Sequence, residues 1–578
     1  MNTNLMQWLK DEVLCSLPHD ETIAKDAKKA SSDFRFAFSE TDLVKVIRSV
    51  TDTLHDLETR CKKLALLSFY AADDQQVRQL LDETSDAYLR TLAEYSDFFS
   101  TVARSSKIDR LPCLTSQSFS GEADRLSTCY AKQLLPLLKK EKTLVAQQMQ
   151  LLEEISLSSS QFEVVKGEVR QLLQSVSRDR RARSYHSLIG QIGKNKEAIK
   201  QHFLELHTLR RSLGEQAGFS TFYDYATRRS GLSDRSQIQL FRQRVQKHIA
   251  PLVRPIKAMQ WSRLGISEPK PWDIMYTAPF GVPVLSPEAL PLEKTYLDSL
   301  RFIFTAKVPM FETMTREDAL AFHVSGATNY DGALQRALVR DASPDVLSAY
   351  FPEIDQSFLL IAQIPQEMVA RIVFSETGSL LFEQLTEIKR SFSIPHSPVC
   401  PVRQVVRQSM AILSQPAWVP FYGNMTKYAR EYDLIDLVLR LPVCCALDEM
   451  EEFLARARVT NMAVFRHAWN EIASRYSLPG TETGNPALIP VEDAWLFSPM
   501  LWCEPLTDVF DAMAAVSVLG TQPMGRHHKR LEDYFTRLLN SDSGCEPFSR
   551  LTEAGFPSPF EEETVMKAAF AIADFLGL

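Results

Sequence analysis

Glycine is scarce in this chain, 20 of 578 residues, and runs of strict apolar–polar alternation are few. A fold built mainly of strands and tight turns is therefore excluded. The nine cysteines (Cys15, Cys61, Cys113, Cys129, Cys400, Cys444, Cys445, Cys503 and Cys545) form no C-x-x-C pair, which removes zinc knuckles and thioredoxin-type redox chemistry. Their odd count suits a reducing compartment, and the adjacent Cys444 and Cys445 read as buried thiols in an apolar stretch. Positive charge is not in excess: 65 Lys and Arg against 72 Asp and Glu give a net charge of −7, so nucleic acid is not an expected partner. No apolar run reaches the length of a membrane helix. Met1 to Leu17 carries Lys10, Asp11 and Glu12 and does not read as a signal peptide, so the expected location is the cytoplasm, away from membranes. Neither a G-x-S-x-G elbow nor a Walker loop occurs.

What the chain does have is helical periodicity. Apolar residues recur at three- and four-residue spacing along Leu43, Val44, Ile47, Val50, Leu54 and Leu57, continuing toward Leu64 and Leu67. Val77 to Tyr95 and Leu134 to Ile155 carry similar stripes, and together they predict long helices packed side by side. Ser158 to Ser160 interrupts the pattern as a turn or linker. Ser177 precedes Arg178, Arg180, Arg181 and Arg183; the run reads either as a phosphate-binding patch or as a capped helix start with a solvated basic face, and the second reading is preferred. One helix is expected over Ser236 to Leu264, and helical pattern again over Tyr432 to Tyr476. Ser357 to Ala362 is the best strand candidate. Immediately after it, Phe374-Ser375-Glu376-Thr377-Gly378-Ser379-Leu380-Leu381-Phe382 has the outline of an H-E-x-x-H helix in which both histidine positions are serine.

Several segments, in one order, resemble the M3 zinc metallopeptidases, especially the oligoendopeptidase F branch. Ser177-Arg178-Asp179-Arg180 with Arg183 resembles the family's s-x-D-R-x-x-R. Arg210-Arg211, Ala217-Gly218-Phe219 and Tyr223-Asp224-Tyr225 resemble R-x-x-L-A-x-x-x-G-F-x-x-Y-x-D-Y. Leu264-Gly265 with Pro271-Trp272-Asp273 resembles the L-G…W-D segment. Ser375 to Phe382 falls where the family has H-E-x-G-H-A-x-H, and Pro416 to Gly423 resembles P-W-x-x-x-F-F-G. The resemblance covers roughly Ser175 to Leu519. It implies a mainly α fold, a bivalved helical shell around a deep channel with a small sheet beside the active-site-like helix. It also implies an N-terminal helical region over 1–175 and a peptidase-like domain over 176–578.

The family's zinc is held by two histidines at i and i+4 and a distant carboxylate, and the glutamate after the first histidine is general base to zinc-bound water. Carried over, the ligand positions are Ser375, Ser379 and Gln404, and the general-base position is Glu376. Two alcohols and an amide are not zinc donors, so the expected metal and cofactor content is none. Gly378 matches the family's small residue, which permits close packing behind the helix. On the substrate side, the family's H-x-F-x-x-P-F-Y-Y-x-x-Y is replaced around Pro505 by Met500, Thr507, Asp508 and Asp511, and G-G-Y-C has no counterpart near Thr328 to Leu334. The expectation is a pseudopeptidase that binds a peptide or protein partner. The alternatives are an active metalloendopeptidase with a rearranged metal site, or an interaction scaffold with a closed channel. Glu376, Glu383 and Glu387 share a helix face that could offer oxygen ligands to Mg or Ca, but a salt-bridged face is the preferred reading. His202, His207, His323, His467 and the adjacent His527 and His528 lack ligand spacing.

Overall fold

The structure, a computed structural model, describes residues 17, 20–70, 74–108, 111, 116–154, 157–159, 162–164, 175–232, 235–274, 276, 283–290, 292–303, 320–324, 346–361, 366–388, 400–457, 461–478, 495, 501, 505–522, 528–541 and 547–578. Among these, the chain is mainly α. The N-terminal helices are α1 (Asp20–Phe36), α2 (Glu40–Tyr70), α3 (Gln75–Glu94), α4 (Ser96–Ala103), α5 (Ser116–Cys129) and α6 (Leu135–Glu154). The stripe that predicts α2 is its buried side: Leu43, Ile47, Val50, Leu54, Leu57, Leu64 and Leu67 are all inside. Most of them close an apolar cluster with Phe34, Phe98 and Phe99. The serine-rich stretch is more than a linker: β1 (Leu157–Ser159) pairs antiparallel with β2 (Phe162–Val164), Ser158 opposite Glu163.

Then come α7 (Arg178–Gln216), α8 (Phe222–Arg229), α9 (Arg235–His248), α10 (Val253–Arg263) and α11 (Leu292–Ile303). The expected single helix over Ser236 to Leu264 is two, because Pro251 removes a donor and a 3-10 turn, Ala250–Leu252, intervenes. Ser177 caps α7, its Oγ accepting from Arg180 N at 3.4 Å. The basic run after it is only partly a solvated face. Arg178 and Arg181 each donate to the carboxylate of fully buried Asp273 at 2.7 Å, and Arg181 also lies 4.0 Å over the Tyr276 ring. The arginine segment and the Pro271-Trp272-Asp273 segment are thus two halves of one buried clamp. Similarly, Arg210 and Arg229 both grip buried Glu141, while Tyr223 and Arg242 meet on Asp448.

The sheet is β3 (Leu320–Val324), β4 (Val346–Phe351) and β5 (Gln356–Ile361), in the order β3-β5-β4. Strand β5, the one read from sequence, is central: parallel to β3 and antiparallel to β4, with Ala349 opposite Phe358. Leu64, Leu66, Leu67 and Val77 cover Ala349, Phe351, Phe358 and Leu360, so the N-terminal helices pack on this sheet. The remaining helices are α12 (Val369–Ile388), α13 (Pro401–Leu413), α14 (Thr426–Arg456), α15 (Met462–Arg475), α16 (Thr507–Gly520), α17 (His528–Asn540), α18 (Pro547–Ala554) and α19 (Glu562–Leu576). The helical pattern over Tyr432 to Tyr476 divides between α14 and α15.

Helix α12, carrying Ser375, lies at the centre of the main core. Val373, Phe374, Leu380 and Leu381 are all fully buried, so it is apolar on more than one side, as a helix surrounded by others must be. Its nearest neighbour is α13, and Gly378 sets the approach. A Cβ there would stand 2.9 Å from Val406 O and 3.0 Å from Arg407 Cα. The Pro416 to Gly423 aromatic segment braces the start of α12: Ala370 N donates to Tyr422 Oη at 3.3 Å, and Phe374 meets Phe421 edge-on. Described cysteines Cys61, Cys129, Cys400, Cys444 and Cys445 are free thiols, and no described helix is long and apolar enough to cross a membrane.

Candidate functional site

Ser375 and Ser379 are one turn apart on α12 and so face the same way. Between them Glu376 is nearly buried, 9 % exposed. Its Oε2 accepts from Ser348 Oγ on β4 at 2.9 Å, and its Oε1 accepts from Arg407 Nη2 on α13 at 2.5 Å. Arg407 Nη1 donates to Gln404 Oε1 at 3.1 Å. One guanidinium therefore joins Glu376 to Gln404. Ser379 Oγ is buried and makes no complete hydrogen bond, although it stands close enough to help hold the Glu376 carboxyl down. Burial alone would push that carboxyl up; the charges of Arg407 and Arg403, then the Ser348 and Ser379 hydroxyls, outweigh it and leave it below the ordinary carboxylate range. Glu376 is thus ionised and neutralised in place.

The acidic face of α12 is salt-bridged. Glu383 receives Arg403 Nη2 at 3.3 Å and Lys62 Nζ at 4.0 Å, and it also accepts from Tyr350 N at 3.4 Å. The Glu387 side chain lies outside the described residues. No described group of three His, Cys, Asp or Glu side chains converges as metal ligands would. The donor set at 375, 379 and 404 does not fit zinc, since hydroxyls and an amide lack the imidazole, thiolate or carboxylate character that zinc takes. His207 is an ordinary core histidine, stacked on Phe203 and edge-on to Phe465, and burial pushes its pKa down to about 4.

Of the substrate-side positions, Met500 and the stretch Thr328 to Leu334 lie outside the described residues. Thr507 and Asp508 open α16, and Asp511 follows one turn on. Asp511 accepts from Gln408 Nε2 at 2.8 Å and faces Arg440 at 3.6 Å. Gln408 is one turn beyond Gln404, and the Arg407 charge reaches Asp511, so these acids border the same cluster. Burial, then the neighbouring Asp511 charge, raises Asp508 to about 6 against the opposing pull of Arg440.

That shift sets a pH dependence. Between about pH 4 and the raised value of about 6, the unfolded chain releases the Asp508 proton while the folded chain keeps it. Stability from this group therefore falls as pH rises through that window and stays lower above it. Asp508→Asn should raise stability at pH 8 by on the order of 1–2 kcal/mol and change little at pH 4. Urea unfolding at the two pH values measures this; equal wild-type and variant slopes would contradict it.

Arg407, Arg403 and Ser348 were missed from sequence. The two arginines are i and i+4 on the helix of Gln404, and a cation within one turn of Gln404 was a usable signal. Ser348 had none, since β4 was not anticipated.

Neither a family model nor a curated protein matches the chain. Solved structures do. An inhibitor complex of PZ peptidase A is 17% identical over 97% of this chain and 98% of its own, with a TM-score of 0.83. A putative oligoendopeptidase F is 16% identical over 97% of both chains, TM-score 0.83. A putative oligoendopeptidase F from Bacillus anthracis is 16% identical over 97% of both, TM-score 0.79. The chain has the mainly α fold of these peptidases.

Proposed function

We propose that this chain is a catalytically inert, oligoendopeptidase F-like protein of the M3 type, a cytoplasmic pseudopeptidase that binds a peptide or protein segment where such enzymes hold substrate. The observation that carries this reading is the Glu376–Arg407–Gln404 chain of contacts, with serines at both remaining ligand positions. A carboxylate held below its ordinary pKa by a guanidinium is a poor base. Unassisted water has a pKa of about 16, so the proton transfer is uphill by more than the roughly eleven pKa units, about 15 kcal/mol, that separate water from an ordinary carboxylate. A zinc-bound water near pKa 7 would remove most of that barrier, but none of the three ligand positions offers a zinc donor. Neither serine is set up as a nucleophile, because the adjacent carboxylate is already committed to Arg407 and Ser348.

The freshly purified protein is expected to contain far less than one zinc per chain and to leave internally quenched peptides uncut, with or without chelator. Metal analysis and a fluorescence assay check this. Stoichiometric zinc accompanied by chelator-sensitive turnover would reject the proposal.

A further inference from the structure

The exchange at the three ligand positions does more than remove metal donors. Imidazole nitrogens and a carboxylate offer lone pairs to a metal, whereas a serine hydroxyl can donate a proton as well as accept one and a glutamine NH₂ only donates. Gln404 Oε1 is taken by Arg407, which turns the amide so that its remaining polar atom, Nε2, is a donor. Among the described residues, neither Gln404 Nε2 nor Ser375 Oγ donates a hydrogen bond, and Arg407 Nε is buried without a partner, whereas Ser379 Oγ leans on the Glu376 carboxyl. Arg407 keeps 31% of its side chain exposed and Arg403, one turn away, 34%, so both remain reachable from solvent. The charges along this row balance, with Arg403, Arg407 and Lys62 against Glu376, Glu383 and Glu58, and Asp511 beyond them faces Arg440.

We infer that the locus has changed polarity and now receives a carboxylate of the bound peptide. The carboxylate accepts from the hydroxyl of Ser375, the amide of Gln404 and a second N–H of Arg407 Nη1 or Nη2, whose first protons go to Gln404 and Glu376. This rests on the peptide-binding reading above and names the chemical group recognised there. A carboxylate suits the site because each contact is a donor and two are beside guanidinium charge, where hydrogen bonds are the stronger kind. A peptide ammonium would meet the Gln404 amide protons and the Arg407 guanidinium, neither of which offers it a lone pair.

Calorimetric titration with N-acetyl-tetraalanine as free acid, its C-terminal amide, and N-acetyl-Ala-Ala-Glu-Ala amide tests this on the full chain. The free acid is expected to bind at least about tenfold more tightly than the tetraalanine amide. Gln404→Glu, which places an acceptor against Arg407 and should still fold, is expected to abolish that preference; a thermal melt confirms its folding. Equal affinity of acid and amide, or preservation of the preference in Q404E, overturns the assignment while leaving peptide binding intact. If no peptide binds, both readings fall. A Glu-containing amide that matches the free acid supports the carboxylate site and shows that it takes a side-chain acid as well as a C-terminal one; one that binds like the tetraalanine amide restricts the site to C-terminal carboxylates.

Discussion

Arg407→Ala is expected to destabilise the fold by about 2–4 kcal/mol, and Glu376→Gln made in the same chain should recover a substantial part of that loss. Glu376 is nearly buried and its charge is tolerated because the guanidinium touches it at 2.5 Å. Removing the arginine leaves an ionised carboxylate in a poorly solvated place, with Ser348 as its remaining direct partner. Part exposure of Arg407 keeps the expected loss below that of a wholly buried pair. The neutral amide of E376Q no longer needs a counter-charge and can still meet the Ser348 hydroxyl. The sign of the pH response also changes. In the wild type the depressed Glu376 pKa contributes stability above the unfolded value of about 4.3, lost as pH falls through the folded pKa. Without Arg407, burial dominates and raises the pKa, so the variant loses stability as pH rises above about 4.3 instead. Urea unfolding of the two single variants and the double variant at pH 4 and pH 7 gives the cycle. A loss under about 0.5 kcal/mol in R407A, with no recovery in the double variant, would mean that the arginine is only a surface charge.

Such coupled pairs mark where the sequence stops being legible. The apolar stripes of α2, α3 and α6, the strand β5 and the helix of Ser375 could all be read because their signal is a local period that burial demands. Gly378 was legible too, since a resemblance named a small residue there and the touching backbone of α13 explains it. The break at Pro251 was available from the residue itself and was overridden by the surrounding pattern. By contrast, Arg178 and Arg181 look like a solvated basic face until Asp273, far along the chain, is brought onto them. A charged residue at the surface and one clamped in the core have the same local sequence; only the partner differs. Arg407 belongs to this class, thirty-one residues from Glu376. Ser375, Ser379 and Gln404 can be read one at a time, but the cation that answers the Glu376 carboxylate could be found only after α12 and α13 were placed together.

If the guanidinium stands where a metal would, restoring the ligands alone should not restore binding. A chain carrying Ser375→His, Ser379→His and Gln404→Glu has two imidazoles one turn apart and a carboxylate, a complete zinc donor set by type. Arg407 would still bridge positions 376 and 404. It would form an ion pair with the new glutamate and present a positive charge to the incoming cation. A doubly charged ion about 4–5 Å from a guanidinium is opposed by roughly 6–8 kcal/mol at an effective dielectric constant of about 20. Water around the part-exposed arginine screens some of this, so the triple variant is expected to bind zinc at least about a hundredfold more weakly than a quadruple variant that adds Arg407→Ala. The quadruple variant should also link the two effects of the arginine. Without metal it carries uncompensated acids at 376 and 404 and melts low; with zinc in excess, binding to the folded state restores stability by mass action. Competition against a chromogenic chelator measures the affinities, and melting curves with and without zinc measure the linkage. Equal zinc affinity in the triple and quadruple variants would show that Arg407 does not occupy the metal's place, and a quadruple variant whose melting ignores zinc would show that positions 375, 379 and 404 do not converge on one ion.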